Sequence, residues 1–184
     1  MRIITGKAKG VKLFTLDGND TRPTAERTKE AVFSTLQFDI EGRVILDLFA
    51  GSGQMGLEAV SRGADSAYMV DSSKRAVEII KKNIEKAKLE NNCRVFCDEA
   101  LSFLKKQSNV RFDIVFLDPP YASRLIDEAL TLLAEKKLIK DTSYIVCESD
   151  SFDFLSENNA KRYETVKSMK HGVAHILILK ATEV

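Results

Sequence analysis

The segment Asp118-Pro119-Pro120-Tyr121 directly follows Phe112–Leu117, an apolar run of strand length. Its two prolines remove two backbone donors and keep the chain extended, so that carbonyl groups can point at a ligand. An exocyclic amine could give one hydrogen to the Asp118 carboxylate and one to the Pro119 carbonyl. Two such acceptors would aim the nitrogen and stabilise the positive charge that develops on it, while Tyr121 could stack on the base. We predict that these four residues are catalytic, and the alternative is a structural proline-rich turn.

A second candidate is the loop Asp47-Leu48-Phe49-Ala50-Gly51-Ser52-Gly53, which ends an apolar run and opens a helix. Gly51 and Gly53 permit a tight turn and a close approach of a ligand, and a helix start offers unpaired N–H groups. Doubly wound folds bind ligands at this position, beyond the carboxyl end of a strand. The loop lacks the pattern of triphosphate sites, and Leu57 stands where a dinucleotide fingerprint has its third glycine. Taken alone, the loop is also compatible with a structural strand-to-helix turn.

Acidic residues follow the next two predicted strands. Asp71 comes about twenty residues after the glycines, where a carboxylate can accept both hydroxyls of a ribose. Asp98 follows the third strand and is placed to accept the amine of an adenine. Each acid alone is also a common helix N-cap. Together they outline a nucleoside.

The order of apolar and amphipathic segments predicts an α/β fold with a doubly wound, mostly parallel, seven-stranded sheet and an antiparallel C-terminal strand. The predicted strands are Val44–Phe49, Ser66–Val70, Arg94–Cys97, Phe112–Leu117, Tyr144–Cys147, Arg162–Val166 and Ala174–Lys180. The predicted helices are Gln54–Arg62, Lys74–Lys88, Ala100–Lys106 and Arg124–Ala134. A polar turn over Lys167–Gly172 separates the last two strands, which therefore form an antiparallel pair at the sheet edge.

Residues 1–40 differ from the rest and predict a small N-terminal extension to the main domain, residues 41–184. Arg2, Lys7, Lys9 and Lys12 precede the first acidic residue, and the weak alternation of apolar residues indicates a hairpin arm. A helix then begins after a cap at Thr24. This basic arm is a candidate RNA contact.

Composition excludes several classes of protein. The 184 residues carry 28 Lys+Arg against 27 Asp+Glu, and 44% are hydrophobic, which is typical of a globular chain and not of a polybasic or disordered one. No apolar run reaches the roughly 18 residues of a membrane span, and no secretory segment begins the chain, so we expect a cytoplasmic protein. Three cysteines and two histidines do not form a metal-ligand pattern, and we predict no metal.

These motifs resemble the RsmD family of class I S-adenosylmethionine-dependent methyltransferases. The resemblance runs from Arg2 to Leu177, and it includes the loop that ends at Gly53 and the segment that begins at Asp118. It is narrowed by an N-terminal signature: Arg2-Ile3-Ile4-x-Gly6, Gly10, Leu13 and Arg22-Pro23-Thr24-x-x-Arg27-x-x-Glu30-x-x-Phe33. The resemblance implies transfer of a methyl group to the N2 of a guanine in small-subunit (16S) ribosomal RNA, which is guanine 966 in the family's activity.

The resemblance also implies a role for each candidate residue. The methionine end of S-adenosyl-L-methionine would lie against Asp47, Phe49, Gly51 and Gly53, with Ser52 beside them. The ribose would lie at Asp71 and Ser72, the adenine at Asp98, Glu99 and Ala100, and the transferring methyl at Asp118, Pro119, Pro120 and Tyr121. The RNA is expected at Arg2, Lys7, Lys9, Lys12, Arg22, Thr24, Arg27 and Tyr121, and the segment from Arg22 to Glu30 is expected at the carboxylate side of the cofactor as well.

The chemistry expected is direct in-line methyl transfer without a covalent enzyme intermediate, helped by positioning and electrostatics. The near-neutral charge predicts weak general affinity for RNA, so we expect the substrate to be RNA within an assembled or assembling 30S particle. Two alternatives stay open at this point. One is an adenine-N6 DNA methyltransferase, because Asp118-Pro119-Pro120-Tyr121 recognises an aryl amine and not a particular base. The other is a non-catalytic RNA- or nucleotide-binding module.

Charge reversal in the arm tests its predicted role. Changing Lys7, Lys9 and Lys12 to Glu should weaken RNA binding. The difference in affinity from wild type should shrink as salt rises, because the variant releases fewer counterions from the RNA than wild type does and its affinity depends less on salt. Filter binding at several salt concentrations measures this effect, and titration of S-adenosylmethionine serves as the control. A change in affinity for the cofactor alone would contradict the assignment.

Overall fold

A computed structural model of the protein describes residues 1–16, 23–119 and 123–182. The helices are α1 (Pro23–Thr35), α2 (Gln54–Ser61), α3 (Lys74–Ala87), α4 (Ala100–Lys106), α5 (Ser123–Glu135) and α6 (Glu157–Arg162). The strands are β1 (Val44–Asp47), β2 (Ser66–Asp71), β3 (Cys93–Cys97), β4 (Phe112–Leu117), β5 (Ile139–Ser149), β6 (Tyr163–His171) and β7 (Ala174–Ala181). A short 3₁₀ turn, Glu90–Asn92, precedes β3.

Within these residues the strands form one seven-stranded sheet in the order β3-β2-β1-β4-β5-β7-β6. The first five strands in this order pair in parallel with one another, while β7 pairs antiparallel with both β5 and β6. The predicted α/β fold class is therefore confirmed. The chain places β2 and β3 on one side of β1 and then crosses to place β4 and β5 on the other side. A doubly wound sheet opens a crevice at its carboxyl edge where the strand order reverses in this way, which here is between β1 and β4.

The C-terminal part differs from the prediction in three places. Strand β5 begins at Ile139 and not at Tyr144, and α6 was not predicted because six mostly polar residues carry no apolar period. The predicted turn at Lys167–Gly172 is wrong. Strand β6 continues to His171, and Gly172, with φ of 65°, and Val173 form a two-residue turn. Its residues read as a turn because they are polar, and they are polar because β6 is an exposed edge strand.

The N-terminal arm is a hairpin, as predicted. Arg2 and Lys12 pair in antiparallel fashion, and the Ile3 amide donates to the Val11 carbonyl at 3.0 Å. Gly6 lies where the arm crosses the end of α2. Its φ is +87°, and a Cβ there would come within 1.7 Å of the Ser61 carbonyl oxygen, so a side chain would displace the arm. The predicted cap at Thr24 is wrong in its position, since α1 already begins at Pro23.

A buried carboxylate, Glu58 on α2, holds the arm and α1 in place. Its Oε2 accepts the Ile4 amide at 2.8 Å, and its Oε1 accepts the Thr5 amide at 3.1 Å. The Lys29 ammonium of α1 lies 3.2 Å from Oε2, and Arg62 lies 2.8 Å from Oε1. The Glu58 side chain has no exposed surface, and Lys29 is 1% exposed. Both carboxylate oxygens are thus satisfied by opposite charges and by amides, which is the condition under which a buried ion pair can persist.

The arm and α1 share one apolar core with the sheet. Ile3 and Leu13 of the arm and Phe33 of α1 pack in the same buried cluster as Ile45 of β1 and Phe116 of β4. A second cluster on the other sheet face contains the inward residues of α4 and α5. The division into an extension and a main domain stays a prediction. Within the described ranges, no helix combines the length and the apolar character needed to cross a bilayer.

Glu58→Ala tests how strongly the arm depends on this carboxylate. The variant leaves Lys29 buried without its partner, so the free energy of unfolding should fall by about 3 kcal/mol, and the Tm by about 10 °C. Thermal unfolding followed by circular dichroism measures both quantities. Glu78→Ala, which removes an exposed carboxylate from α3, is the matched control and should change Tm by about 1 °C at most. Equal Tm values for the two variants would contradict the role of Glu58.

Candidate functional site

The glycine loop after β1 is shaped by two residues with positive φ. Gly51 has φ of 55° and Gly53 has φ of 78°, a region that L side chains rarely adopt. A Cβ on Gly53 would also lie 3.0 Å from the Met69 sulfur. The Ala50 carbonyl accepts the Gly53 amide at 2.7 Å, which closes the turn before α2 begins. The glycines at these two positions are therefore required by the backbone.

Asp47, the last residue of β1, connects that strand with the first turn of α2 by a hydrogen bond. Its Oδ2 accepts the Gly56 amide at 3.0 Å, so the carboxylate satisfies a free N–H in the first turn of α2. The side chain is 4% exposed. Burial raises the pKa of Asp47 to about 7, the Gly56 hydrogen bond opposes that rise, and the nearby Asp71 carboxylate adds to it.

Asp71 connects the ends of β1 and β2. Its Oδ2 accepts the Gly51 amide at 2.8 Å, and its Oδ1 accepts the Ser73 amide at 2.8 Å. Each carboxylate oxygen keeps a second lone pair, so Asp71 can hold the loop and still accept hydrogen bonds from a ligand. The side chain is partly exposed and faces the cleft described next.

A cleft of about 530 Å³ lies along the carboxyl ends of the strands; we call it the main cleft. Its volume falls within the usual range for small-ligand sites. Seven of the predicted cofactor residues line it: Phe49, Gly51, Asp71, Ser72, Glu99, Ala100 and Asp118. Leu16, Leu48, Ser73 and Leu125 complete its lining and were not predicted. Apolar walls with acidic groups at separate points suit a nucleoside that carries a positive charge.

The remaining predicted cofactor residues, Asp47, Ser52, Gly53 and Asp98, do not line the main cleft. The first three shape the glycine loop, and the Ser52 carbonyl accepts a hydrogen bond from the Asn83 side chain. Asp98 forms an ion pair with Lys106 at 2.6 Å and accepts the Glu99 amide. The Lys106 hydrogen bond holds the pKa of Asp98 below its usual value. Its predicted contact with adenine stays a prediction.

Asp118 stands immediately after β4, at the mouth of the main cleft. Its side chain is exposed and lines the cleft. Desolvation by the surrounding protein raises the pKa of Asp118 to about 7, and the Glu148 and Asp47 carboxylates raise it further. Pro119 is buried. Pro120 and Tyr121, also predicted to be catalytic, lie outside the described residues.

Glu148 is a site residue that sequence reasoning missed. Strands β4 and β5 pair in parallel, with Phe116 opposite Val146 and Leu117 opposite Cys147. Continuing this register by one position places Glu148 beside Asp118. The missed signal was available, because Glu148 directly follows the predicted strand Tyr144–Cys147, just as the three predicted acids follow theirs. Asn83, fully buried on α3, was also missed.

Only some of the residues predicted to contact RNA lie within the described ranges. Arg2, Lys7, Lys9, Lys12 and Arg27 are exposed, so their charges are available to a partner. Lys7 also donates to the Asn92 side chain at 3.2 Å. Arg22 and the Thr24 side chain lie outside what the structure describes. Over the described ranges, no three His, Cys, Asp or Glu side chains are grouped as a metal site.

Comparison with known proteins finds matches that cover most or all of the chain. A family model described as Conserved hypothetical protein 95 matches residues 1–180. The ribosomal RNA small subunit methyltransferase D of Haemophilus influenzae is 38% identical over 152 residues, covering 82% of this chain and 79% of that protein. The Escherichia coli protein of the same name is 37% identical over 150 residues, covering 82% and 75%. A solved structure from Escherichia coli matches with a TM-score of 0.87 at 30% identity, covering 100% of this chain and 99% of its own.

Asp118→Asn tests the electrostatics of the cleft. The folded chain holds the Asp118 proton more tightly than the unfolded chain, whose carboxyl titrates near 3.8. The stability from this group is therefore fully present below about pH 4 and is lost as pH rises to about 7. The asparagine of the variant cannot ionise, so its stability does not fall with pH in this way. Its Tm should therefore exceed the wild-type Tm near pH 8 and equal it near pH 4. Asp150→Asn, at an exposed acid, is the control. A variant no more stable than wild type near pH 8 would contradict the shift.

Proposed function

This chain belongs to the family of ribosomal RNA small subunit methyltransferase D, and we propose that it transfers a methyl group to the exocyclic N2 of a guanine in small-subunit ribosomal RNA. The methyl donor is S-adenosyl-L-methionine. One observation carries the proposal: Asp118 stands at the mouth of a nucleoside-sized cleft whose other acids lie at the ends of neighbouring strands. A carboxylate at that position can meet both the donor and an amine that approaches from outside.

The residues of the main cleft fit the donor. The positive φ of Gly51 leaves open space on its outer side, where a Cβ would meet no atom within 4 Å. This leaves room for a ligand to approach the backbone, and Asp71 beyond it offers free lone pairs to ribose hydroxyls. Phe49 and Ala100 supply apolar walls. When bound, the donor supplies an electrophilic methyl group on a positively charged sulfur.

Asp118 positions the amine in this proposal. Its carboxylate accepts one N–H of the guanine N2, and the carbonyl of Pro119 accepts the other. The nitrogen lone pair forms the new bond to the methyl carbon, and the electron pair of the carbon–sulfur bond stays on sulfur. The nitrogen then gives its extra proton to Asp118 or to solvent. The negative potential of Asp118, Asp47 and Glu148 stabilises the positive charge during this step.

The exposed basic residues of the arm provide the contact with RNA. Arg2, Lys7, Lys9 and Lys12 project from a hairpin that Glu58 anchors next to the site. We propose that residues 1–40 act as this contact and that residues 41–184 carry the transfer. Because the basic surface is small, the substrate is RNA shaped by ribosomal proteins in a 30S particle.

Incubation with labelled donor tests the function. Small-subunit particles from a strain that lacks this gene, protein-free ribosomal RNA and DNA are offered in parallel. Label should enter the particles, and nuclease digestion followed by chromatography should recover it as N2-methylguanosine. Label in DNA adenine would support the adenine-N6 alternative, and no label in any substrate would support a binding module.

Asp118→Ala tests the catalytic assignment in the same assay. The variant loses the acceptor for the amine, so the rate of methyl transfer should fall by at least 10³-fold, a typical order of magnitude for a preorganised electrostatic group. Affinity for S-adenosylmethionine, measured by calorimetry, should stay within about three-fold, because Asp71 and the glycine loop are intact. Transfer at a near wild-type rate would show that Asp118 has another role.

A further inference from the structure

A second cavity, of about 100 Å³, also reaches Asp118; we call it the side cavity. Among the described residues, Asp118 is the only one that lines both this cavity and the main cleft. The side cavity is smaller than a complete ligand site, whose volume is usually above about 300 Å³. It therefore suits one edge of a planar base that is held mainly by other surfaces.

The polar lining of the side cavity comes from three directions. Thr28 and Lys29 belong to α1, Gln54 to the start of α2, and Glu148 to the end of β5. Phe116 and Val146 form the floor, on the same face of the sheet. Side chains alternate between faces along a strand. Asp118 and Glu148, two residues further along β4 and β5, therefore point to that same face, side by side.

The acceptors of the side cavity lack donors. In the described part of the chain, Glu148 forms no side-chain hydrogen bond and no ion pair, although the nearby His171 favours its ionised form, and Gln54 Oε1 is buried without a hydrogen-bond partner. Lys29, the one cation in the lining, already pairs with Glu58 and donates to the Arg2 carbonyl at 2.6 Å. A buried acceptor without a donor costs free energy. A group that brings hydrogen-bond donors into the cavity is therefore favoured over one that brings acceptors.

We propose that Glu148 reads the Watson–Crick edge of the target base by accepting the N1–H of guanine while Asp118 holds the N2 amine. This inference rests on the proposed function and adds the residue that selects the base. Guanine carries N1–H and the N2 amine as adjacent donors, and the neighbouring carboxylates Asp118 and Glu148 match that pair. In adenine the atom beside the amine, N1, is an acceptor, and it would face the Glu148 carboxylate across a lone-pair repulsion.

The proposal also accounts for the electrostatic state of the pair. Burial raises the pKa of Glu148 while His171 opposes that rise; the pKa of Asp118 is raised first by burial and then by repulsion from Glu148. Adjacent N–H donors favour the ionised form of both carboxylates. Guanine is thus the base whose edge relieves the repulsion, whereas a base with an acceptor at N1 increases it.

Replacement of guanine by 2-aminopurine separates base selection from methyl transfer. This base keeps the amine at the same position but has a lone pair in place of N1–H. Small-subunit particles are reconstituted with RNA that carries either base at the mapped nucleotide, and kcat/KM is measured above pH 7. The wild-type protein should prefer guanine by about 10- to 100-fold, the usual discrimination from such a pair of hydrogen bonds.

Glu148→Gln provides the decisive comparison because an amide can donate to the N1 of 2-aminopurine. The variant should use guanine at least ten-fold less well and 2-aminopurine better than wild type does, so the ratio between the bases should approach one. Asp150→Asn, an exposed acid just beyond β5, should leave the ratio unchanged. Unaltered affinity for S-adenosylmethionine and a Tm no lower than that of wild type would show that the variant is folded.

The outcomes distinguish the two levels of the proposal. Wild-type transfer to guanine with an unchanged ratio in Glu148→Gln would overturn the role of Glu148 and leave the proposed function intact. Wild-type preference for 2-aminopurine would also overturn it. Transfer to neither base would overturn the proposed function and the inference together.

Discussion

The position of the site depends on one buried carboxylate, Glu58. Its contacts to Ile4, Thr5 and Lys29 hold both the arm and α1 to α2, and the Ser61 hydroxyl of α2 adds a further contact to the arm by accepting the Ala8 amide at 3.0 Å. The same α2 begins at the glycine loop, and Lys29 lines the side cavity. A desolvated ion pair thus connects the basic arm with the wall of the site. A buried charge tolerates few other arrangements, since any shift that breaks one contact leaves an unpaired ion.

A second constraint acts at the carboxyl edge of the sheet, where parallel strands bring several acids together. Asp47, Asp118 and Glu148 all have raised pKa values, because burial disfavours their charged forms and, for Asp47 and Asp118, neighbouring carboxylates add to that effect. A structural role would be served better by neutral side chains at these positions. Unfavourable concentration of one charge is typical of sites that stabilise the opposite charge in a ligand or transition state. The repulsion between carboxylates that destabilises this edge of the sheet is thus also the property that lets it stabilise a positive charge.

Sequence alone predicted the parts of the site that obey local rules. Asp71 and Asp118 follow apolar runs, and the glycine spacing marks a strand-to-helix turn, so the main cleft could be assembled from the order of strands. The pairing of Lys29 with Glu58 could not, because the partners are far apart in the chain and sit among helical residues that look like a solvated face. Glu148 was within reach of the same rule as Asp118 and was missed. The end of β5 was predicted too early, and β6, the next strand along the chain, was mistaken in part for a turn.

The position of Asp118 between two cavities has a thermodynamic consequence. A side chain shared by two ligands couples their binding, and the coupling must be equal in both directions. A cationic donor in the main cleft favours the ionised Asp118, which is the form that an amine in the side cavity needs. In the proposed reaction the sulfur becomes neutral once the methyl group has moved, and this mutual support ends. The carboxylates then lose the positive charge that offset their repulsion, which favours release of the products over their retention.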